Sequence, residues 1–232
     1  MTTGREHHRV PYTVRVQYRN ASSFLVAYSL NLSRGGVFLE TAQDADIGSD
    51  ITLQFAVPDA GPILVRGRVA WKRQEPGHEG PAGIGVEFED MVDDLGELID
   101  RLVHDFDGLS ILLLCGDRHD RSSVTRMISS IISAARVVNA ADGHVAETLL
   151  TDDVALAVID ADSDPSAAMK IVRAARRCSP PIPTIVLASS KNVREKARAA
   201  GSDEVAGNPP PFAEFRKILV RALGRPAQVK AT

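Results

Sequence analysis

The sequence predicts two units of different class: a small all-β barrel closed by a helix, then a doubly wound α/β unit with a parallel five-stranded sheet. Three observations carry this. Residues 10–90 hold short apolar runs, several of them alternating, separated by turn signals. At residues 91–106 the apolar spacing changes to that of a helix. From Leu109 onward, strand-like apolar runs alternate with helical stripes. A length of 232 residues suits two domains of ordinary size.

In the first unit, residues 13–18 (TVRVQY), 24–29 (FLVAYS), 37–41 (VFLET), 51–57 (ITLQFAV), 63–71 (ILVRGRVAW) and 83–88 (GIGVEF) each read as a strand. SRGG, DIGS, PDAGP and the polar loop QEPGHEGPAG supply the turns between them. Short strands at this spacing build a small barrel or sandwich. Leu95, Leu98, Ile99, Leu102, Val103 and Phe106 then fall on one helical face, and Gly108 caps it. This acidic helix, within 91–108, either closes the β unit or bridges to the next.

The second unit opens on LSILLLC, a buried-strand run. Val124, Met127, Ile128, Ile131 and Ile132 form a helical stripe, and RVVNA, ALAVID and TIVLAS are further strand runs, each followed by a helix-like segment. The pattern predicts five β-α units over 109–224, the last helix covering 212–223 after the proline run at 209–211, and residues 225–232 as a tail.

The overall charge of −3 is unevenly spread. The first 36 residues hold five Arg (5, 9, 15, 19 and 34) against Glu6 alone, in an otherwise acidic half. A local basic patch on an acidic unit points to an anion site and away from a nucleic-acid surface; on charge alone, a solvated strand face with scattered Arg remains equally open. Two cysteines, Cys115 and Cys178, give neither a disulfide framework nor a metal cluster, so no metal is expected. Runs such as ILLLC fall far short of the ~20 residues that a membrane span needs. The start, MTTGREHHRV, has no apolar signal-peptide core. A cytoplasmic protein without membrane insertion is the expectation. No nucleophile–base pair or Walker-type loop is visible, so an enzyme is not expected.

Two short motifs concentrate chemistry. Arg5 and Arg9 precede the first strand with three residues between them. Asn31, Ser33, Arg34 and Gly36 share the connection NLSRGG. Guanidinium groups suit bidentate capture of phosphate and of the O6/N7 edge of guanine. An Asn amide and a Ser hydroxyl add hydrogen bonds to a base or ribose, and glycine permits close approach or positive φ. Alone, each piece is also compatible with an ordinary loop or turn.

In this order the motifs resemble those of the PilZ domain, a small β-barrel that binds the bacterial second messenger cyclic di-GMP. RxxxR matches Arg5 to Arg9, and (D/N)xSxxG matches Asn31, Ser33 and Gly36. VPYTVRVQY, DIGSDITLQF, VRGRVAW and GIGVEF resemble the family's strands, so the likeness covers residues 4–90. It implies a cyclic di-GMP site in which Arg5 and Arg9 grip guanine and phosphate. Asn31 and Ser33 would hydrogen-bond base or phosphoribose, Gly36 would leave room, and Arg34 would add charge. Residues 109–224 resemble a response-regulator receiver domain, with Asp160 at the phosphoacceptor position. Cys115 and Gly116 stand where receivers carry an acidic pair, Ala188 where they carry Thr or Ser, and Asn208 where they carry Lys. These departures imply a degenerate receiver that serves as an assembly surface.

The resulting expectation is a cyclic di-GMP effector that acts through a protein partner, with a homodimer through residues 191–224 as a further contact. Motility, polysaccharide production and biofilm control are the outputs associated with the family. A PilZ-fold scaffold that binds no nucleotide is one alternative, and a phosphorelay receiver with an accessory domain is another.

Overall fold

The computed structural model describes residues 12–30, 35–41, 45–57, 61–75, 82–89, 93–106 and 108–231. The first unit is a six-stranded sheet that curls into a half-barrel. Its strands are β1 (Tyr12–Gln17), β2 (Gly36–Leu39), β3 (Asp50–Ala56), β4 (Ile63–Arg73), β5 (Gly83–Phe88) and β11 (Gln228–Ala231), in the order β11-β1-β3-β4-β5-β2. β1 and β3 pair parallel, and every other neighbouring pair is antiparallel. Val14, Val16, Leu39, Leu53, Phe55, Val65 and Val86 point into its core.

Two segments differ in kind from the sequence expectation: residues 228–231, in the predicted tail, form β11 because they pair with β1, and a predicted strand is a helix. Residues 24–29, read as a strand, lie within helix α1 (Ala21–Leu30). Asn20 starts the helix: its Oδ1 accepts from Ser23 N at 2.9 Å, and its carbonyl accepts from Phe24 N at 3.2 Å. The helix carries no one-sided stripe because it is covered on two sides. Phe24 and Ala27 enter the first core, whereas Val26 packs against the second. A helix apolar all round is one buried all round, and its sequence then shows no helical period.

Helix α2 (Asp93–His104) closes the β unit, with Leu95 and Leu98 buried in its core and Ile99 and Leu102 packed beside them. The second unit follows as β6 (Leu109–Leu114), α3 (Arg118–Ile131), β7 (Ala135–Ala140), α4 (Gly143–Thr148), β8 (Val154–Asp160), α5 (Pro165–Arg177), β9 (Thr184–Leu187), α6 (Lys191–Ala200), β10 (Glu204–Ala206) and α7 (Phe212–Leu223). All five strands are parallel, in the order β10-β9-β8-β6-β7. Counted within the unit this is 2-1-3-4-5 read from the far edge, the flavodoxin-like order that receivers share. Helices α3 and α7 cover one face; α4, α5 and α6 cover the other.

Among the described residues, several contacts join the units. The chain after α7 returns to the first sheet, where β11 pairs with β1 from Val14↔Ala231 to Gln17↔Gln228. Arg19, after β1, reaches into the second unit: Nε donates to Val154 O at 2.6 Å, Nη2 to Thr151 O at 3.0 Å, and Nη1 to Pro180 O. Ser22 Oγ donates to Gly108 O at 3.2 Å. Among the described residues, no helix is long and apolar enough to cross a membrane.

Candidate ligand-binding site

Of the predicted ligand residues, Gly36 lies among the described residues; Arg5, Arg9, Asn31, Ser33 and Arg34 lie outside them. Positive φ, which the sequence assigned to Gly36 as one possible reason for glycine, belongs to its neighbour: Gly35 has φ 79°. Gly36 answers to a close approach within the sheet. A Cβ there would meet Val86 O at 2.5 Å, because Gly36 pairs with Glu87 on β5.

Beside this turn, an aromatic platform lies on the outer face of the sheet. Gly36 and Phe38 alternate with the buried Val37 and Leu39, so they share that face. Phe38 stands opposite Gly85, and Gly85 stands opposite Trp71 on β4. With no side chain at Gly85, the rings of Phe38 and Trp71 meet above it. Their centroids are 5.2 Å apart and their planes 10° from parallel. A Cβ at Gly85 would collide with the Trp71 indole. The Arg73 guanidinium lies 5.5 Å from the Phe38 centroid and 5.4 Å from that of Trp71.

Sequence reasoning missed this platform. Strict alternation from Val69 would send Trp71 into the core. A β-bulge between Val69 and Trp71 shifts the register, and the indole is 43% exposed. The legible signal was Gly83 and Gly85 two apart in GIGVEF: a strand face with no side chains must be covered by neighbours.

At the C-terminal edge of the second sheet, the receiver-like site is closed by its own side chains. Asp160 Oδ1 accepts from Asp162 N and from Asn208 Nδ2, each at 3.0 Å. The Cys115 thiol lies 3.4 Å from Asp160 Oδ2. Asn208 Nδ2 also donates to Asp162 Oδ2 at 3.0 Å. Asp162 Oδ1 accepts from Ser189 N and Ser189 Oγ, both at 3.0 Å. Asp117, the carboxylate nearest the missing acidic pair, caps α3 through His119 N and Asp120 N at 2.7 and 2.9 Å. Those two hydrogen bonds hold its pKa below the usual carboxylate range. Burial raises the pKa of Asp160, and burial, followed by the charge of Asp160, pushes the Cys115 thiol up to about 12. These residues do not fit a magnesium ion. A protonated thiol and a glycine occupy the places of two carboxylates, and an amide spans the remaining pair.

The family comparison covers the first unit. Residues 3–105 match the family model described as PilZ domain, which runs through α2. The chain thus carries a PilZ domain at its start, and PilZ domains are a family of cyclic di-GMP receptors. No curated protein matches the chain. Similar solved structures include the signal receiver domain of a DNA-binding response regulator from Colwellia psychrerythraea, with 18% identity and a TM-score of 0.45 over 50% of this chain and 99% of that one. The receiver domain of a sensor histidine kinase from Pseudomonas aeruginosa gives 24% identity and a TM-score of 0.44 over 50% and 98%. A chemotaxis protein from Vibrio cholerae gives 19% and 0.44 over the same shares. The receiver-like architecture of the second unit rests on its own strand order.

Proposed function

We propose that this protein is a cytoplasmic cyclic di-GMP receptor whose ligand site is built from Arg5, Arg9, Asn31, Ser33 and Gly36, with Arg34 as an additional cation. The observation that carries the reading is the pair of motifs, in order, inside the segment that matches the PilZ family. The Phe38–Trp71 platform supports it, since a half-exposed aromatic pair beside Gly36 offers a stacking surface for a guanine base.

Coupling to the second unit would run through α1. Its last residue, Leu30, leads directly into Asn31, while Val26 packs on the second core and Ser22 holds Gly108. A ligand that orders residues 31–36 in one arrangement favours the matching position of α1, and the domain contacts shift by that differential affinity. The second unit then serves as an assembly surface for a protein partner or a second copy. The output falls among motility, polysaccharide and biofilm control. Within residues 191–224, Glu204 and Arg194 have internal partners: Arg221 holds Glu204, and Arg194 donates to the carbonyls of Ala188 and Ser189.

Trp71 is the only tryptophan in the chain, so its fluorescence reports on the site. Titrating cyclic di-GMP should give a saturable change. Arg5→Ala and Arg9→Ala should each weaken binding more than tenfold, as lost charge-assisted hydrogen bonds of ~1.5–3 kcal/mol require. No calorimetric heat at high micromolar ligand would leave the nucleotide-free scaffold as the better reading.

A further inference from the structure

A cavity of about 560 Å³ opens between the two units on the side away from Asp160. It lies at the N-terminal edge of the second sheet, where residues 182–183 and 202–203 lead into β9 and β10. Four arginines line it: Arg19 from the first unit, Arg176 and Arg198 from the last turns of α5 and α6, and Arg225 from the return to β11. Its lining contains none of the residues of the proposed cyclic di-GMP site.

The charge around this cavity is not balanced. Arg225 is matched by Asp203, at 3.3 Å, and by Glu40. Asp203 is itself engaged, accepting from Thr184 N at 2.8 Å. Arg19 is 5% exposed, and its hydrogen-bond partners among the described residues are neutral carbonyls. No carboxylate pairs with Arg19, Arg176 or Arg198 among the described residues. The Arg176 guanidinium lies against Gly201, where any Cβ would collide with it, and this contact holds the group at the cavity wall. In the lining itself four arginines face one carboxylate, Asp203, and the C-terminal ends of α5 and α6 contribute roughly −0.5 each, so the lining stays positive. Asp152 and Asp153 act on the buried Arg19 only from a distance, without pairing, and an anion in the adjoining space offsets the remaining cost of burying it.

We infer that this cavity is a second binding site, for a phosphate-bearing small molecule of nucleotide size or smaller, held by Arg176 and Arg198 from one unit beside Arg19 and Arg225. The volume falls in the range of small-molecule pockets, and arginine is the side chain suited to bidentate phosphate recognition. A ligand seated there touches both units at once and so stabilises their docked arrangement.

Calorimetry with inorganic pyrophosphate on the full chain, at ionic strength held constant with sodium chloride, tests this. Saturable binding is expected, weakened at least tenfold in the Arg176→Ala/Arg198→Ala variant, and accompanied by a rise in thermal midpoint that the variant lacks. Both changed residues are exposed, so the variant should keep the wild-type midpoint without ligand. No saturable binding by the wild type, or equal affinity in the variant, overturns the inference. Binding lost in Arg5→Ala/Arg9→Ala but kept in Arg176→Ala/Arg198→Ala would put the anion at the N-terminal arginines and overturn it equally. Failure of cyclic di-GMP to bind leaves this test unaffected.

Discussion

Cys115 shows how a single substitution changes a site's chemistry. Its thiol is fully buried beside a carboxylate that itself resists ionisation. Burial disfavours the thiolate, and the charge of Asp160 disfavours it further. The folded pKa, about 12, lies above the ordinary 9.0. The stability tied to this protonated thiol is therefore complete below pH ~9 and is lost as the pH rises toward 12. A thiol reagent at pH 8 should modify only the half-buried Cys178 in the folded protein, and both cysteines after unfolding. Fast labelling of two thiols in the native state would contradict this account. In the same site, the hydrogen bonds of Asp162 and Asn208 must be broken before Asp160 can accept a phosphoryl group. Acetyl phosphate with Mg²⁺ should leave Asp160 unmodified, as mass spectrometry would register.

Among the elements, β2 is fixed by a contact that excludes side chains. Gly36→Val places methyl groups against Val86 O and breaks the β2–β5 pairing, so it should lower the thermal midpoint before any question of ligand arises. A destabilisation of about 1–3 kcal/mol is expected from forced backbone movement. Arg34→Ala, in the preceding connection, should leave the midpoint unchanged. Equal midpoints for the two variants would mean that the strand tolerates a side chain at Gly36.

The whole molecule is held together by the crossing of its two units. β11 completes the first sheet from the far end of the chain, and Arg19 binds carbonyls at two separate stretches of the second unit. Arg19→Ala leaves those buried acceptors unpaired and should destabilise the protein by about 3 kcal/mol. Urea unfolding would measure it. A single transition in the wild type that splits into two in the variant would show that Arg19 couples the units. A variant as stable as the wild type would assign the coupling to α1 and β11 alone.

Features that depend on neighbours within a few residues are legible in the chain alone. The five β-α units, the closing face of α2 and the extent of α7 follow from local periodicity, and the two motifs proposed to bind the ligand are contiguous strings. The departures at Cys115, Gly116 and Asn208 were equally legible, because each is one residue at one position. The other features arise from contacts between distant segments. Residues 24–29 alternate like a strand, yet they form a helix because both of its sides are buried, one against each unit. Trp71 faces outward because of a bulge that no local pattern announces, and residues 228–231, in the predicted tail, become a strand through pairing with β1, more than two hundred residues earlier. The arginine cavity draws on separate stretches of chain, and their meeting depends on long-range contacts that no local pattern records.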